Sequence, residues 1–375
     1  VGDLKPLDYV NLGYIWLKTY QSLRKTWSGG NLDCSSVKVN YGYDRVPEPD
    51  EHVFGGLVKL QDLSRAFPQT HASPNILYLV SSALPYFPVR LAKMARNAGA
   101  KIVVNQNGVA YPGWYGEGYE KANRSMAWLH SAADYVFYQS EFCRVSAEKF
   151  LGPRKLDQRS EVLYNPVNTE QFAPAPNSGK DAGVTILLSG SHWTAYRVFT
   201  AIDTLGIISS GNSDAALKIA GRFCWRDDPA EAEREVFAYA RDAGLGDKVV
   251  VTGPYAQQDA PALMNGSSVL LHTKYNDPCP RLVVEALACG VPVVYSATGG
   301  VMELVGEGGG LGVPGPLDWE RDHPPEPEAL AECIEKVIDD REAFARAARN
   351  RAVECFNVDR WISRHLEVFN DLMGM

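Results

Sequence analysis

TKYNDPCPRLVVEALACGVPVVYSATGGVMELV, residues 273–305, is the stretch from which the fold can be read. Val269–His272, just before it, is a short apolar run of strand length. Asp277, Pro278 and Pro280 then open a helix, since proline is tolerated in a first turn whose N–H groups lack helical partners. Gly290 ends that helix as a C′ residue, Pro292 blocks its continuation, and Val291–Tyr295 resumes as a strand. Strand, helix and strand in so short a span make the unit of a parallel sheet. The first-turn segment Cys279, Pro280, Arg281 and Leu282 leaves helix-end amides at the strand's edge, an arrangement that holds a diphosphate. Glu285 stands among Leu282, Val283, Val284, Ala286 and Leu287, and a carboxylate on an apolar helix needs a partner. A vicinal diol such as ribose suits it, and so does a neighbouring basic residue. Asp277 alone reads as a plain N-cap.

The same alternation extends to both sides. Before the segment, strand-like runs fall at Val37–Tyr41, Asn75–Val80, Lys101–Asn105, Tyr135–Tyr138 and Glu161–Tyr164. Helical patterns fall at Leu57–Ala66, Arg90–Ala98, Asn123–Ala132 and Cys143–Phe150. Residues 173–183, APAPNSGKDAG, read as a linker. Strands then resume at Val184–Ser189, Leu217–Ala220 and Lys248–Thr252, and the C-terminal stretch is helical over Phe344–Val353 and Val358–Leu372. The expected fold is α/β, with two Rossmann-like, doubly wound parallel-sheet domains facing a cleft. The first covers 1–175, including a helical extension over 1–36, and the second covers 184–350. A helix within 351–375 carries Trp361, Leu366 and Phe369 and is expected to cross back to the first domain. At the other end Tyr9, Leu12, Trp16, Tyr20, Leu23 and Trp27 share one helical face, with Lys18, Arg24 and Lys25 among them. Core packing and peripheral docking on a membrane surface are its two readings.

Net charge is −8, which disfavours a nucleic-acid partner. Residues 1–175 hold 19 Lys/Arg against 16 Asp/Glu and the rest hold 18 against 29, so the halves carry +3 and −11. The first half is the one suited to an anionic surface or acceptor. No apolar run is long enough to span a membrane, and no signal-peptide pattern opens the chain. Seven scattered cysteines without a C-x-x-C pair predict reduced thiols and a cytoplasmic setting, with the inner membrane face as a variant. Clustered zinc ligands are absent, as is any Asp-x-Asp pair, so no metal is expected. Gly310-x-Gly312-x-x-Gly315 is interrupted by Pro314 and reads as a loop.

An acidic residue, seven residues, Glu-Ala-x-Ala-x-Gly-x-Pro-Val-Val and then Gly-Gly-x-x-Glu-Leu-Val resembles the donor-binding signature of GT-B retaining glycosyltransferases, family 4 (glycosyl transferases group 1). That family usually has Glu at both ends of the gap, and here the first is Asp277. Gly55-Gly56 resembles its glycine loop beside the donor phosphates, where a missing side chain permits close approach. Asn107-Gly108 stands where the family often has His-Gly against the donor sugar, and an amide cannot titrate. Asn165-Pro166-Val167-Asn168-Thr169 with Phe172 and Pro174 resembles the element that ends the first lobe. The family's basic pair is altered: in Gly190-Ser191-His192-Trp193-Thr194-Ala195-Tyr196-Arg197 the first basic position is Ser191, and the Arg comes one place late.

The resemblance implies transfer of a sugar from a nucleotide-diphosphate sugar with retention of configuration and without metal or other cofactor. Asp277 would then bind sugar hydroxyls, Glu285 the ribose, and Arg197 or Arg222 the diphosphate. The acceptor, a glycan or other carbohydrate, a lipid-linked sugar or a small molecule, is expected on the first lobe. There Tyr111, Trp114, Tyr115, Glu117 and Tyr119 form an aromatic, glycine-rich loop suited to stacking or packed by its own rings. Two alternatives stand beside transfer: a nucleotide-sugar-binding subunit without turnover, and a nucleotide-sugar epimerase on the same fold. Donor hydrolysis or transfer, against tight binding alone, separates the first of them.

Overall fold

The computed structural model describes residues 21, 25–27, 35–48, 51, 53, 55–155, 157–176 and 183–375. In the strand β2 (Ile76–Val80), Ile76, Tyr78 and Val80 turn to one core and Leu77 and Leu79 to another. A strand buried on both faces reads as a continuous apolar run, which is why it was visible in the sequence. It belongs to a five-stranded parallel sheet in the order β1 (Val39–Asn40), β2, β3 (Lys101–Gln106), β4 (Tyr135–Tyr138) and β5 (Arg159–Val162). β1 is shorter than its apolar pattern suggests, because the Tyr41 amide turns to Gln69 Oε1 at 2.9 Å. β5 starts two residues before the run at Glu161, with the exposed Arg159 and Ser160 paired to Tyr135 and Val136. An edge strand is set by the ladder beside it, whatever its own polarity.

The second sheet has six parallel strands in the order β11-β10-β9-β6-β7-β8. They are β6 (Thr185–His192), β7 (Ala216–Phe223), β8 (Val249–Gly253), β9 (Val269–His272), β10 (Val293–Ser296) and β11 (Gly310–Val313). The chain moves outward from β6 to β8, then returns to lay β9 on the other flank of β6. That reversal makes β6/β9 the switch point, where open sheets bind ligands beyond their carboxyl ends.

The last helix, Val358–Met373, leaves the second lobe and packs on the first. Trp361, Val368 and Phe369 join the core around Tyr41 and Tyr78. Phe369 lies 5.1 Å from Phe67 ring to ring, and Tyr78 Oη is 2.9 Å from His365 Nε2. Leu366, expected in this contact, is 43% exposed: the buried stripe runs 361, 365, 368 and 369, and position 366 falls outside it. The helical reading of residues 9–27 lies mostly outside the described residues, although Trp27 is buried in the first-lobe core. Of the predicted linker, 177–182 also lie outside them. Among the described residues no helix is long and apolar enough to cross a membrane.

Candidate active site

A cavity of about 360 Å³ opens between the lobes. The first lobe contributes Gly55, Lys59, Asn107, Gln139 and Asn165. From the second come Gly190, Ser191, Arg222, Tyr255, Gln257, Cys279, Arg281 and Glu285. Most of these follow or end a strand: Asn107 after β3, Gln139 after β4, Gly190 and Ser191 in β6, Arg222 in β7, and 279–285 after β9. The cavity is therefore the carboxyl edge of both sheets.

The helix after β9 runs from Arg281 to Ala288, with Pro280 before it and Gly290 beyond it at φ +69°. Asp277 is thus not its N-cap, but part of the preceding loop. The Gly299-Gly300 pair has a steric cause. A Cβ at Gly299 would lie 2.5 Å from Asp277 O, and one at Gly300 would lie 2.0 Å from Pro278 O. The Gly300 amide donates to Asp277 O at 2.9 Å instead. Ser140 Oγ of the first lobe donates to Pro278 O at 2.7 Å. Glu303, within the same motif, accepts from the Glu141 and Phe142 amides at 2.6 and 2.9 Å. It caps a first-lobe helix from the second lobe, and burial holds its carboxyl above the ordinary value despite those amides. Pro278 and Glu303 of the signature thus fasten the lobes together.

Glu285 is 4% exposed and faces the cavity. Its Oε1 accepts from Gln257 Nε2 at 2.7 Å and Arg281 Nε at 3.0 Å. Arg281 Nη1 continues to Asp62 Oδ2 of the first lobe at 2.8 Å, so one guanidinium ties a carboxylate on each side. Asp277 is 8% exposed and absent from the cavity lining. Its Oδ2 meets His272 Nε2 at 3.1 Å and Lys274 Nζ at 3.2 Å. Burial alone would raise its pKa, yet Lys274, His272 and Arg197 together hold it well below the usual carboxylate range.

Arg197, expected at the cleft edge, is 3% exposed and does not line the cavity. It sits in the first turn of the helix Tyr196–Gly211, and its Nη1 donates to Ser191 O at 2.7 Å, behind the cavity wall. Burial lowers its pKa, and Asp277 opposes that shift. Arg222 does line the cavity, its Nη2 donating to Ser191 Oγ at 3.2 Å. Gly55 lines it at φ +54°, whereas Gly56 packs on β2, where a Cβ would lie 2.7 Å from Val80. Pro280 and Leu282 stand outside the lining, with Leu282 3.3 Å from where a Cβ on Gly190 would be.

The aromatic loop bridges the lobes away from the cavity. Tyr111 is buried edge-to-face on Trp319 at 5.1 Å, and the Gly113 amide donates to Trp319 O at 2.7 Å. Trp114 lies under Lys274 at 5.1 Å, while Tyr115 and Glu117 are exposed. Tyr111 and Trp114 meet the second lobe, and Tyr111 and Tyr119 also pack on Phe150 of the first, so the rings do not pack on each other. Among the cavity groups that sequence reading misses are Lys59, Gln139, Tyr255 and Gln257. Lys59 and Asp62 had a signal, being charged residues inside the apolar helix pattern GLVKLQDLS. Gln257 lies in a loop without periodicity and had none.

Residues 175–352 match the family described as Glycosyl transferases group 1. The D-inositol 3-phosphate glycosyltransferase of Salinispora arenicola (strain CNS-205) is 30% identical over 138 residues, 36% of this chain and 29% of that protein. The 2-deoxystreptamine glucosyltransferase of Streptomyces kanamyceticus is 26% identical over 179 residues, 46% and 42% of the two chains. The matched stretches thus span less than half of these relatives. The structure of Anabaena Alr3699/HepE in complex with UDP-glucose aligns with a TM-score of 0.67 at 18% identity, covering 90% of this chain and 100% of that one. Sucrose-phosphate synthase (tll1590) from Thermosynechococcus elongatus aligns at 0.61 and 19%, covering 80% and 74%. Two parallel-sheet lobes with these likenesses make the fold GT-B.

Proposed function

We propose that this chain moves a sugar from a nucleoside-diphosphate sugar to an acceptor, with retention of anomeric configuration and without a metal, as a family 4 glycosyltransferase of the cytoplasm. The observation that carries this reading is that Glu285, Arg222 and Arg281 line one cavity at the switch point. A carboxylate there accepts from ribose hydroxyls, and the guanidiniums offer planar pairs of donors to phosphate oxygens. The names of the relatives, all glycosyltransferases among those above, and the UDP-glucose bound to Alr3699/HepE support it.

In the reaction the bond between the anomeric carbon and the β-phosphate oxygen breaks, and its electron pair stays on the phosphate. The acceptor oxygen bonds to the same face of the sugar, and its proton passes to the departing phosphate oxygen. Cations fixed around that oxygen stabilise charge as it develops, with little reorganisation. Arg222 and Arg281 take this role, while Asp277, outside the lining and paired with His272 and Lys274, holds the loop beside the cavity rather than the sugar. The acceptor, a carbohydrate, a lipid-linked sugar or a small molecule, enters from the first-lobe side near Asn107.

A thermal-shift screen of UDP, GDP, ADP and dTDP sugars identifies the donor, because a bound ligand stabilises by mass action. Turnover assays with the donor so found, in EDTA and with NMR of the product anomer, then test the chemistry. Stabilisation by a nucleotide sugar, transfer in EDTA and a retained anomer are expected. Tight binding without transfer or hydrolysis would point to a binding subunit instead.

A further inference from the structure

Lys59 is a buried cation without a carboxylate of its own. It lies in the first-lobe helix Gly56–Ser64, is 3% exposed, and lines the cavity. Its hydrogen bond is long, Nζ to Asn105 Oδ1 at 3.4 Å, and that oxygen already accepts from Gln139 Nε2 at 2.6 Å. Asp62, one turn along the helix, is the nearest carboxylate on its own element, but it pairs with Arg281. Among the described residues no acid lies within ion-pair distance of Lys59. An ammonium taken out of water without a counter-ion is costly, so its retention at a cavity wall calls for an anion that comes and goes.

We infer that Lys59 is the first lobe's anion-binding residue, gripping the diphosphate of the nucleotide donor against the start of the Arg281–Ala288 helix. The inference rests on the proposed function. It assigns to the opposite lobe part of the charge neutralisation that the sequence resemblance places in the second. With Arg222 and Arg281 it surrounds the departing phosphate from both lobes. When the anomeric C–O bond breaks and the pair remains on phosphate oxygen, the ammonium offers that oxygen a donor at fixed distance.

The pH dependence supplies a readout that a merely structural lysine would not give. Burial pushes the Lys59 ammonium down to about 7 in the empty protein. The groups facing it are Asp62 on its own helix, Cys143 on the helix Glu141–Phe150, and Cys279 and Arg281 from the second lobe. Burial raises both thiols, Cys279 to about 12 and Cys143 higher still, and Arg281 stays charged. Lys59 is therefore the group that titrates near neutrality, and deprotonation removes the charge that binds the anion.

The test is calorimetric titration of the whole chain with UDP, GDP, ADP and dTDP, and with the matching nucleosides. For the diphosphate that binds tightest, Lys59→Met is expected to lower affinity about tenfold or more while nucleoside binding is unchanged. Wild-type affinity for the diphosphate is expected to fall as the pH rises from about 6 to about 9, and Lys59→Arg to remove that fall. A Lys59→Met chain that binds the diphosphate like wild type, or a flat wild-type pH profile, overturns the assignment and leaves the transferase reading intact. The pH profile needs no variant and so decides the matter even if Lys59→Met folds poorly. A wild-type chain that binds none of the diphosphates overturns the proposed function itself, and Lys59's role with it.

Discussion

Seven residues separate Asp277 from Glu285, and burial barely distinguishes them, at 8% and 4% exposed. Their partners do. Asp277 is held by Lys274, His272 and Arg197 of its own lobe and does not line the cavity. Glu285 lines the cavity and shares Arg281 with Asp62 of the other lobe. A carboxylate surrounded by local cations is part of the framework. One whose partner is divided between lobes can exchange that partner for a ligand. Two acids of one motif thus serve different ends, a distinction that burial alone would miss.

The largest expected effect falls on the enclosed acid. Asp277→Asn leaves three basic groups facing a neutral amide, and breaking a buried pair typically costs about 3–5 kcal/mol. Because the Asp277 carboxyl is depressed in the folded chain, its contribution is present above the unfolded value near 4 and is lost as the pH falls below it. Denaturant titrations of both chains should therefore differ widely at neutral pH and converge in acid. A constant gap across that range would show that Asp277 acts by packing alone.

Next come the two arginines. Arg222→Ala should lower turnover about a hundredfold with little change in melting temperature, the loss of one preorganised donor being worth about 3 kcal/mol. Arg197→Ala should do the reverse in emphasis, lowering the melting temperature by withdrawing a cation from Asp277. If Arg197→Ala instead cuts kcat and leaves the melting temperature alone, the buried guanidinium reaches the diphosphate and the contrast collapses.

Glu285→Gln should weaken donor binding about tenfold by calorimetry, in keeping with loss of a charged hydrogen-bond acceptor, and should leave stability near wild type. Unchanged affinity would remove Glu285 from the ribose. Asp62→Asn is expected to have the smallest effect, a few-fold in donor affinity, because Arg281 keeps its bond to Glu285. An effect as large as that of Glu285→Gln would mean that the bridge between lobes, rather than the carboxylate facing the cavity, controls binding.

Much of this architecture was legible because its causes are local. The apolar run Asn75–Val80 is continuous because both faces of β2 are covered. Gly290 follows its helix because the chain there takes φ +69°. Glu285 drew attention as a charge in an apolar helix, and it does line the cavity. The same signal stands at Lys59 and Asp62 in GLVKLQDLS, but no motif accompanies it there. Arg197 was placed at the cleft by its position in the chain, yet its side chain folds behind Ser191. Tyr111 and Trp114 read as an acceptor loop because composition reveals an appetite for stacking but not the partner, which is Trp319 and Lys274 of the second lobe.

From the amino-acid order alone came two β-α sheets in tandem, the helix ends, the glycine pair and the acidic motif. The sheets and helix ends depend on backbone sterics and hydrophobic period within a few residues, whereas the glycine pair is required by its close approach to the carbonyls of Asp277 and Pro278. Folding in three dimensions settled which charges face the cavity. Asp62 and Arg281 are 219 residues apart and meet at 2.8 Å, and Lys59 comes to lie among Asn105, Cys143 and Cys279. Charge interactions of this kind depend on distance and desolvation across the cleft, and neither is encoded in any local pattern.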